Sequence, residues 1–213
     1  PSPTLLMGTY SRNDWTYTPQ EFPLTTTGPR TITNPTAESQ LLYIRYTGST
    51  PGARATVTVE GGWRAPFFVL GESTSESFSE QLKNYEAYVD VQLMGERSII
   101  VISRNIALKY VNQDWERLLE TLDAIVAQEE YISGLDNSME IHAGSANRYF
   151  LTETRDSRYW MAATNFRTFY NARDAVDFIA DRSKLEFDGW GPWHEIGHQH
   201  QLSAITWNET VEV

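Results

Sequence analysis

Toward the end of the chain the sequence reads His194-Glu195-Ile196-Gly197-His198, and these residue types at this spacing define a chemistry. On a helix, residues four apart lie one above the other on the same face, so two imidazoles can be presented to one metal ion with Glu195 beside them. Zinc suits imidazole nitrogen, takes three protein ligands in catalytic sites and leaves one position for water. The metal acidifies that water, and a neighbouring carboxylate can take its proton. Glu195 is placed for that role and can afterwards pass the proton to a departing amine, acting first as general base and then as general acid. The segment therefore reads as the zinc-binding and catalytic centre of a metallopeptidase.

The surroundings support this reading over the plain alternative, that two of four histidines fall four apart on a surface helix. Asp188-Gly189-Trp190-Gly191-Pro192 precedes the motif as a loop whose glycines allow close approach, and Pro192 suits a first helical turn. Gly197 lies inside the helix at a cost of roughly 1 kcal/mol relative to Ala, which suggests tight packing on that side. The third ligand must come from elsewhere. A third His six residues after His198 is absent, since Ala204 stands there and Gln201 replaces the glycine of that longer motif. His200 lies about 200° around the helix from His198 and points away. Glu209 and Glu212 remain, three apart and able to share a helix face.

A helix carrying this motif needs a scaffold. Up to about Leu108 the sequence predicts short strands, Leu41–Tyr46, Ala55–Glu60, Arg64–Leu70, Tyr85–Leu93 and Arg97–Ser103, rich in Val, Ile, Thr and aromatics. Loops of Gly, Pro and Ser, including Gly71–Ser77, separate them. A β-sandwich over residues 1–108 is the economical reading. From Asn112, a plausible cap, the residues Trp115, Leu118, Leu119, Leu122, Ile125, Val126 and Ile132 recur at helical spacing, and this helix ends near Gly134. Strands are predicted at Met139–Ala143, Arg148–Leu151 and Tyr159–Ala163, a second helix from Asn171, and a third from near Trp190 that carries the motif. The fold class is α+β, with residues 109–213 as the catalytic unit.

Composition narrows the partners. A formal net charge of −11 disfavours nucleic acid and anionic membranes, which are bound by clustered Lys and Arg. The apolar runs are far shorter than the roughly 20 residues that span a bilayer, so no membrane insertion is expected. The chain has no cysteine, which removes disulfides and thiolate ligands. Oligomeric state is left open.

At this point the sequence resembles a known family. Trp190-Gly191-Pro192-Trp193-His194-Glu195-Ile196-Gly197-His198-Gln199-His200-Gln201, followed by Trp207 and Glu212-Val213, is similar to the signature of the enhancin-like metallopeptidases, family sixty among the metallopeptidases, which includes viral enhancins and bacterial mucin-degrading enzymes. Tyr159-Trp160-Met161-Ala162-Ala163-Thr164-Asn165-Phe166 resembles the segment upstream of the catalytic helix, and the β-rich first half resembles the sandwich before the peptidase core. The resemblance implies a gluzincin site on a zincin-like domain, with Zn2+ held by His194, His198 and Glu212, and Glu195 as catalytic base. It further implies a secreted or cell-surface endopeptidase cleaving O-glycosylated, mucin-type proteins. Catalytic domains of this family continue past the ligand glutamate into a helical subdomain, so a chain stopping at Val213 is expected to hold the domain's first part only.

Other residues have simpler readings. His142, in an apolar segment, reads as structural. Trp160, Phe166, Phe169, Tyr170, Trp190 and Trp193 are candidates for a sugar-stacking surface, with Trp190 and Trp193 the substrate-binding candidates because they flank the motif. Glu116, Glu120, Asp123, Glu129 and Glu130 read as the solvated face of their helix. Two other functions stand beside the mucin endopeptidase: a glycan-binding or adhesion module with an inactive peptidase half, and a gluzincin aminopeptidase acting on unglycosylated peptides.

Overall fold

Leu5 and Met7 are buried while Thr4 and Leu6 are only partly covered, the period-two pattern of a half-buried strand. This strand, β1 (Thr4–Met7), lies between β2 (Gln20–Pro23) and β3 (Leu42–Arg45) and is antiparallel to both. The structure is a computed structural model that describes residues 2–14, 16–36, 38–47 and 52–201.

A second sheet has six strands: β4 (Phe67–Val69), β5 (Asp90–Met94), β6 (Ser98–Ser103), β7 (Tyr149–Thr154), β8 (Met161–Ala163) and β9 (Thr168–Asn171), in the order β4-β5-β6-β7-β9-β8. The pairs β4/β5, β6/β7 and β7/β9 are parallel, whereas β5/β6 and β8/β9 are antiparallel. Parallel neighbours need a crossover. Helix α1 (Ser75–Asn84) supplies it between β4 and β5, and α2 (Arg104–Lys109) with α3 (Trp115–Ile132) between β6 and β7. Ser98-Ile99-Ile100-Val101-Ile102-Ser103 is buried at all positions but one, as a central strand covered on both faces must be. After the sheet come α4 (Asp177–Ala180), α5 (Arg182–Asp188) and α6 (Trp190–His200).

Leu118, Leu119, Leu122 and Val126 of α3, Ile100 and Ile102 of β6, Leu151 of β7, Leu185 of α5 and Ile196 of α6 share one apolar core. Ile196 is therefore the anchor of the helix that carries both motif histidines. Trp115 is fully buried at the start of α3, edge-on to Phe78 of α1 at 5.1 Å between ring centroids.

The α+β class and the β-rich first half agree with the sequence reading, and the differences have local causes. Thr74 and Ser77 form a capping box, each side chain satisfying the other's backbone N–H, so Gly71–Ser77 runs into α1 instead of staying a loop. Helix α3 starts at Asp114, whose Oδ1 accepts the Arg117 N–H at 2.9 Å, two residues after the expected cap Asn112. Ala55–Glu60 forms no strand despite its alternation. The stretches expected at 64–70, 85–93 and 97–103 correspond to β4, β5 and β6 of the second sheet, where β6 pairs with β7, so this sheet draws on both sides of residue 108. Met139–Ala143 contains a 3-10 turn, Glu140–His142, not a strand. The helix expected from Asn171 is delayed, because residues 168–171 are buried at every position as β9.

Two arginines tie the N-terminal segment to the second sheet. Arg12 Nε and Nη2 donate to Asp90 Oδ1 and Oδ2, both at 2.9 Å, with both side chains buried, and Nη1 reaches the exposed Glu38 at 2.6 Å. Asp90 holds the Arg12 proton more firmly than usual. The guanidinium of Arg167 is fully buried, lies 4.7 Å from the Tyr10 ring centroid, and donates to Thr152 Oγ1 at 3.1 Å and to the Tyr10 and Asp14 carbonyls. Burial pushes its pKa down to about 10.

Breaking one side of a buried pair leaves an uncompensated charge and costs about 3 to 5 kcal/mol. Arg12→Ala is therefore expected to lower the melting temperature in differential scanning calorimetry by many degrees, while Glu38→Gln, at an exposed carboxylate, leaves it almost unchanged. Asp114→Ala, which removes only the α3 cap, is expected to cost about 1 kcal/mol in urea unfolding; an unaltered midpoint would show that the core alone sets where α3 begins.

Candidate metal centre

The residues Arg182–His200 fold as two helices that meet at Gly189. A Cβ at Gly189 would run into the carbonyl oxygen of Leu185 and sit 2.8 Å from the indole Nε1 of Trp193, so only glycine fits the junction. Pro192 falls in the first turn of α6, where an absent N–H costs nothing because first-turn donors have no partner within the helix. Gly191 and Pro192 are buried, and a Cβ at Gly191 would meet the sulfur of Met161 on β8. The backbone of α6 is thus set closely against the terminal strand of the sheet, and Ile196 pins it to the core. The loop expected at residues 188–192 is in fact the end of α5 and the first turn of α6.

On the outer face of α6, His194 and His198 are half-buried and turned toward each other. Their Nε2 atoms are 3.0 Å apart and their ring centroids 4.5 Å. Two imidazole nitrogens bound tetrahedrally at the usual zinc–nitrogen length would be about 3.3 Å apart, so a few tenths of an ångström separate this pair from a chelating arrangement. Nδ1 of His198 meets Oε1 of Gln201 at 3.1 Å, leaving Nε2 to face His194. The donor set fits a divalent metal of zinc type as two of its ligands. Among the described residues no group of three or more His, Asp or Glu side chains could hold a metal, and Glu209 and Glu212 lie outside the described residues.

Glu195 is only 8% exposed, and its charge contributes to raising the pKa of the fully buried Tyr170, whose main cause is burial. His200 faces elsewhere: its Nδ1 lies 3.0 Å from the Ile196 carbonyl and its Nε2 2.8 Å from the Tyr149 hydroxyl, with the two rings stacked at 4.9 Å. Glu129 of α3 approaches the same helix. Its carboxylate would lie 3.6–3.8 Å from a Cβ built on Gly197, an ordinary contact, so crowding does not explain that glycine. Burial raises the pKa of Glu129, opposed by the neighbouring His200 and His194.

The acidic residues of α3 also need correction as a solvated face. Asp123 accepts the backbone N–H groups of Glu96 and Arg97 and the hydroxyl of Ser98, and the buried Glu130 is paired with Arg97. His142 sits in the 3-10 turn beside Ser138 and Asp136, within its own loop.

Trp190 is 61% exposed and bridges the histidines to a wider aromatic surface. Its ring lies 6.4 Å from His194 and 6.2 Å from Trp160, whose indole N–H donates to Asp174 at 2.7 Å and whose ring meets Phe178 edge-on. Trp193 folds back over Gly189. The sequence reading passed over Gln201 and Tyr149. Gln201 was detectable from its place three residues after His198, whereas Tyr149 is joined to His200 only by the fold.

The model of the family described as peptidase M60, enhancin and enhancin-like, matches residues 61–213. Similar solved structures include a mutant of a conserved protein of unknown function from Bacillus anthracis str. Ames, at 26% identity and TM-score 0.82, covering 100% of this chain and 43% of that one. The ZmpB metallopeptidase from Clostridium perfringens aligns at 21% identity and TM-score 0.82, covering 100% of this chain and 46% of that one. The M60 catalytic domain of Clostridium perfringens ZmpC in complex with the sialyl T antigen aligns at 20% identity and TM-score 0.72, covering 100% of this chain and 45% of that one. The chain thus spans less than half the length of these structures. No curated protein matches it. With the family match running over the whole second sheet and the helix that carries both histidines, the chain belongs to the peptidase M60, enhancin and enhancin-like family.

Proposed function

We propose that this chain forms part of a zinc-dependent endopeptidase, secreted or displayed at the cell surface, that cleaves O-glycosylated, mucin-type proteins. The observation that carries this reading is the pair of Nε2 atoms held 3.0 Å apart next to Glu195 on α6, in a chain of the M60 family. His194 and His198 would hold the metal, with Glu212, later in the sequence, as third ligand. When bound, zinc would supply Lewis acidity to a water and to the scissile carbonyl. The carboxylate of Glu195 accepts a proton from the attacking water and delivers it to the nitrogen of the leaving amine.

The chain's own surface supports binding of an extended, glycosylated peptide. β8 is the terminal strand of the six-stranded sheet and runs beside α6, so a substrate backbone can add to its outer edge close to the histidines. Trp190 and Trp160 offer aromatic faces on the His194 side, with Asp174 fixing the Trp160 ring. A sugar on the peptide stacks there, in keeping with the sialyl T antigen bound by the ZmpC catalytic domain.

Glu195→Gln in the intact protein is expected to keep its zinc by metal analysis and to lose peptide cleavage by a factor of about 10² to 10⁴; undiminished cleavage removes Glu195 from the mechanism. For one peptide offered with and without a GalNAc-linked threonine, only the glycosylated form is expected to be cut efficiently, and equal rates would favour an ordinary gluzincin peptidase. Trp190→Ala is expected to raise KM for the glycopeptide about tenfold with kcat little changed, the signature of lost uniform binding.

A further inference from the structure

We propose that Gln201 is a positioning residue of the metal centre, which fixes His198 in the tautomer and orientation that a metal requires. The proposal rests on His198 being a metal ligand, as argued above.

A histidine that binds a metal through Nε2 must carry its proton on Nδ1, and that N–H needs an acceptor to hold the ring in place. Oε1 of Gln201 lies 3.1 Å from Nδ1 of His198. The opposite arrangement of the carboxamide would aim its NH2 at Nδ1 and so require the proton on Nε2, where the metal's electron pair must be. One orientation of one side chain therefore selects the metal-ready form. The Nε2 of Gln201 is buried and has no hydrogen-bond partner among the described residues.

The backbone makes this contact short and repeatable. Helix α6 ends at His200, and Gln201 leaves it in extended conformation at ψ 121°, with its N–H still 3.4 Å from the His198 carbonyl. Its side chain thereby folds back over the last turn. That turn is held from the other side, where Nδ1–H of His200 donates to the Ile196 carbonyl and the Tyr149 hydroxyl on β7 donates to His200 Nε2. The exit of α6 is thus tied to the central sheet one residue before Gln201, and the carboxamide needs little further ordering to meet His198.

The test compares the intact protein with Gln201→Leu, which keeps the size and removes the acceptor, and with Gln201→Glu, which restores it. Zinc affinity is measured by competition with a chromophoric chelator, and the proton position on His198 by long-range 1H–15N correlation of the zinc-loaded protein. Gln201→Leu is expected to bind zinc about 10- to 100-fold more weakly with an unchanged melting temperature in the metal-free form. Gln201→Glu is expected to return affinity to within a few-fold of the parent, and the parent spectrum to show the proton on Nδ1. Zinc affinity in Gln201→Leu within twofold of the parent, a parent spectrum with the proton on Nε2, or no rescue by Gln201→Glu overturns the proposal. His198→Ala separates the two levels: if it binds zinc as the parent does, the metal-centre reading itself fails, and if it loses zinc while Gln201→Leu does not, only the role of Gln201 fails.

Discussion

Two imidazole nitrogens held 3.0 Å apart are useful only on a helix that cannot turn about its axis. A rotation of α6 by a few degrees would swing both rings together, so the site depends on the burial of Ile196 and on the close seat of Gly191 against β8. These contacts are apolar or steric, with no charge of their own. The placing of His194 and His198 therefore borrows its precision from the least reactive residues of the same helix. Glycines at 189 and 191 let the helix start within touching distance of α5 and of the sheet, which a Cβ at either position would prevent.

The six-stranded sheet explains why that helix lies where it does. The crossover from β6 to β7 carries α3 over the sheet, and its buried face of Leu118, Leu119, Leu122 and Val126 shares the core into which Ile196 inserts. The same helix brings Glu129 beside Gly197 of α6, and Glu130 and Asp123 to the turn before β6. One helix therefore serves as core wall, hairpin clamp and neighbour of α6. Its acidic residues are divided among those duties by position.

The pairing of His194 with His198 was more legible in the sequence than its frame. It was readable because helical spacing alone brings the two rings together, and α3 was readable because seven apolar residues keep one period. The strands at 41–46 and 97–103 came from their β-branched and aromatic content. What escaped was set by partners distant in sequence. Phe68, Val91 and Ile100 could belong to a sandwich or to a mixed sheet, and only the α1 and α3 crossovers decide between them. Gly71–Ser77 looked like loop because its Gly and Ser content hides the start of a helix whose core anchors, Phe78 and Leu82, come after it. Glu130 looked solvated because nothing near it in sequence announces Arg97.

Arg167 links residues far apart in the sequence, and this bears on the order in which the molecule is made. Its guanidinium holds the Tyr10 carbonyl across 157 positions and the Asp14 carbonyl across 153. Closing a loop of that length costs about 4 to 5 kcal/mol of chain entropy. During synthesis Tyr10 and Asp14 leave the ribosome long before β9 exists to receive them. The segment around Tyr10 can therefore make this contact only once β9 is present. The parts of the fold that position α6 lie later in sequence.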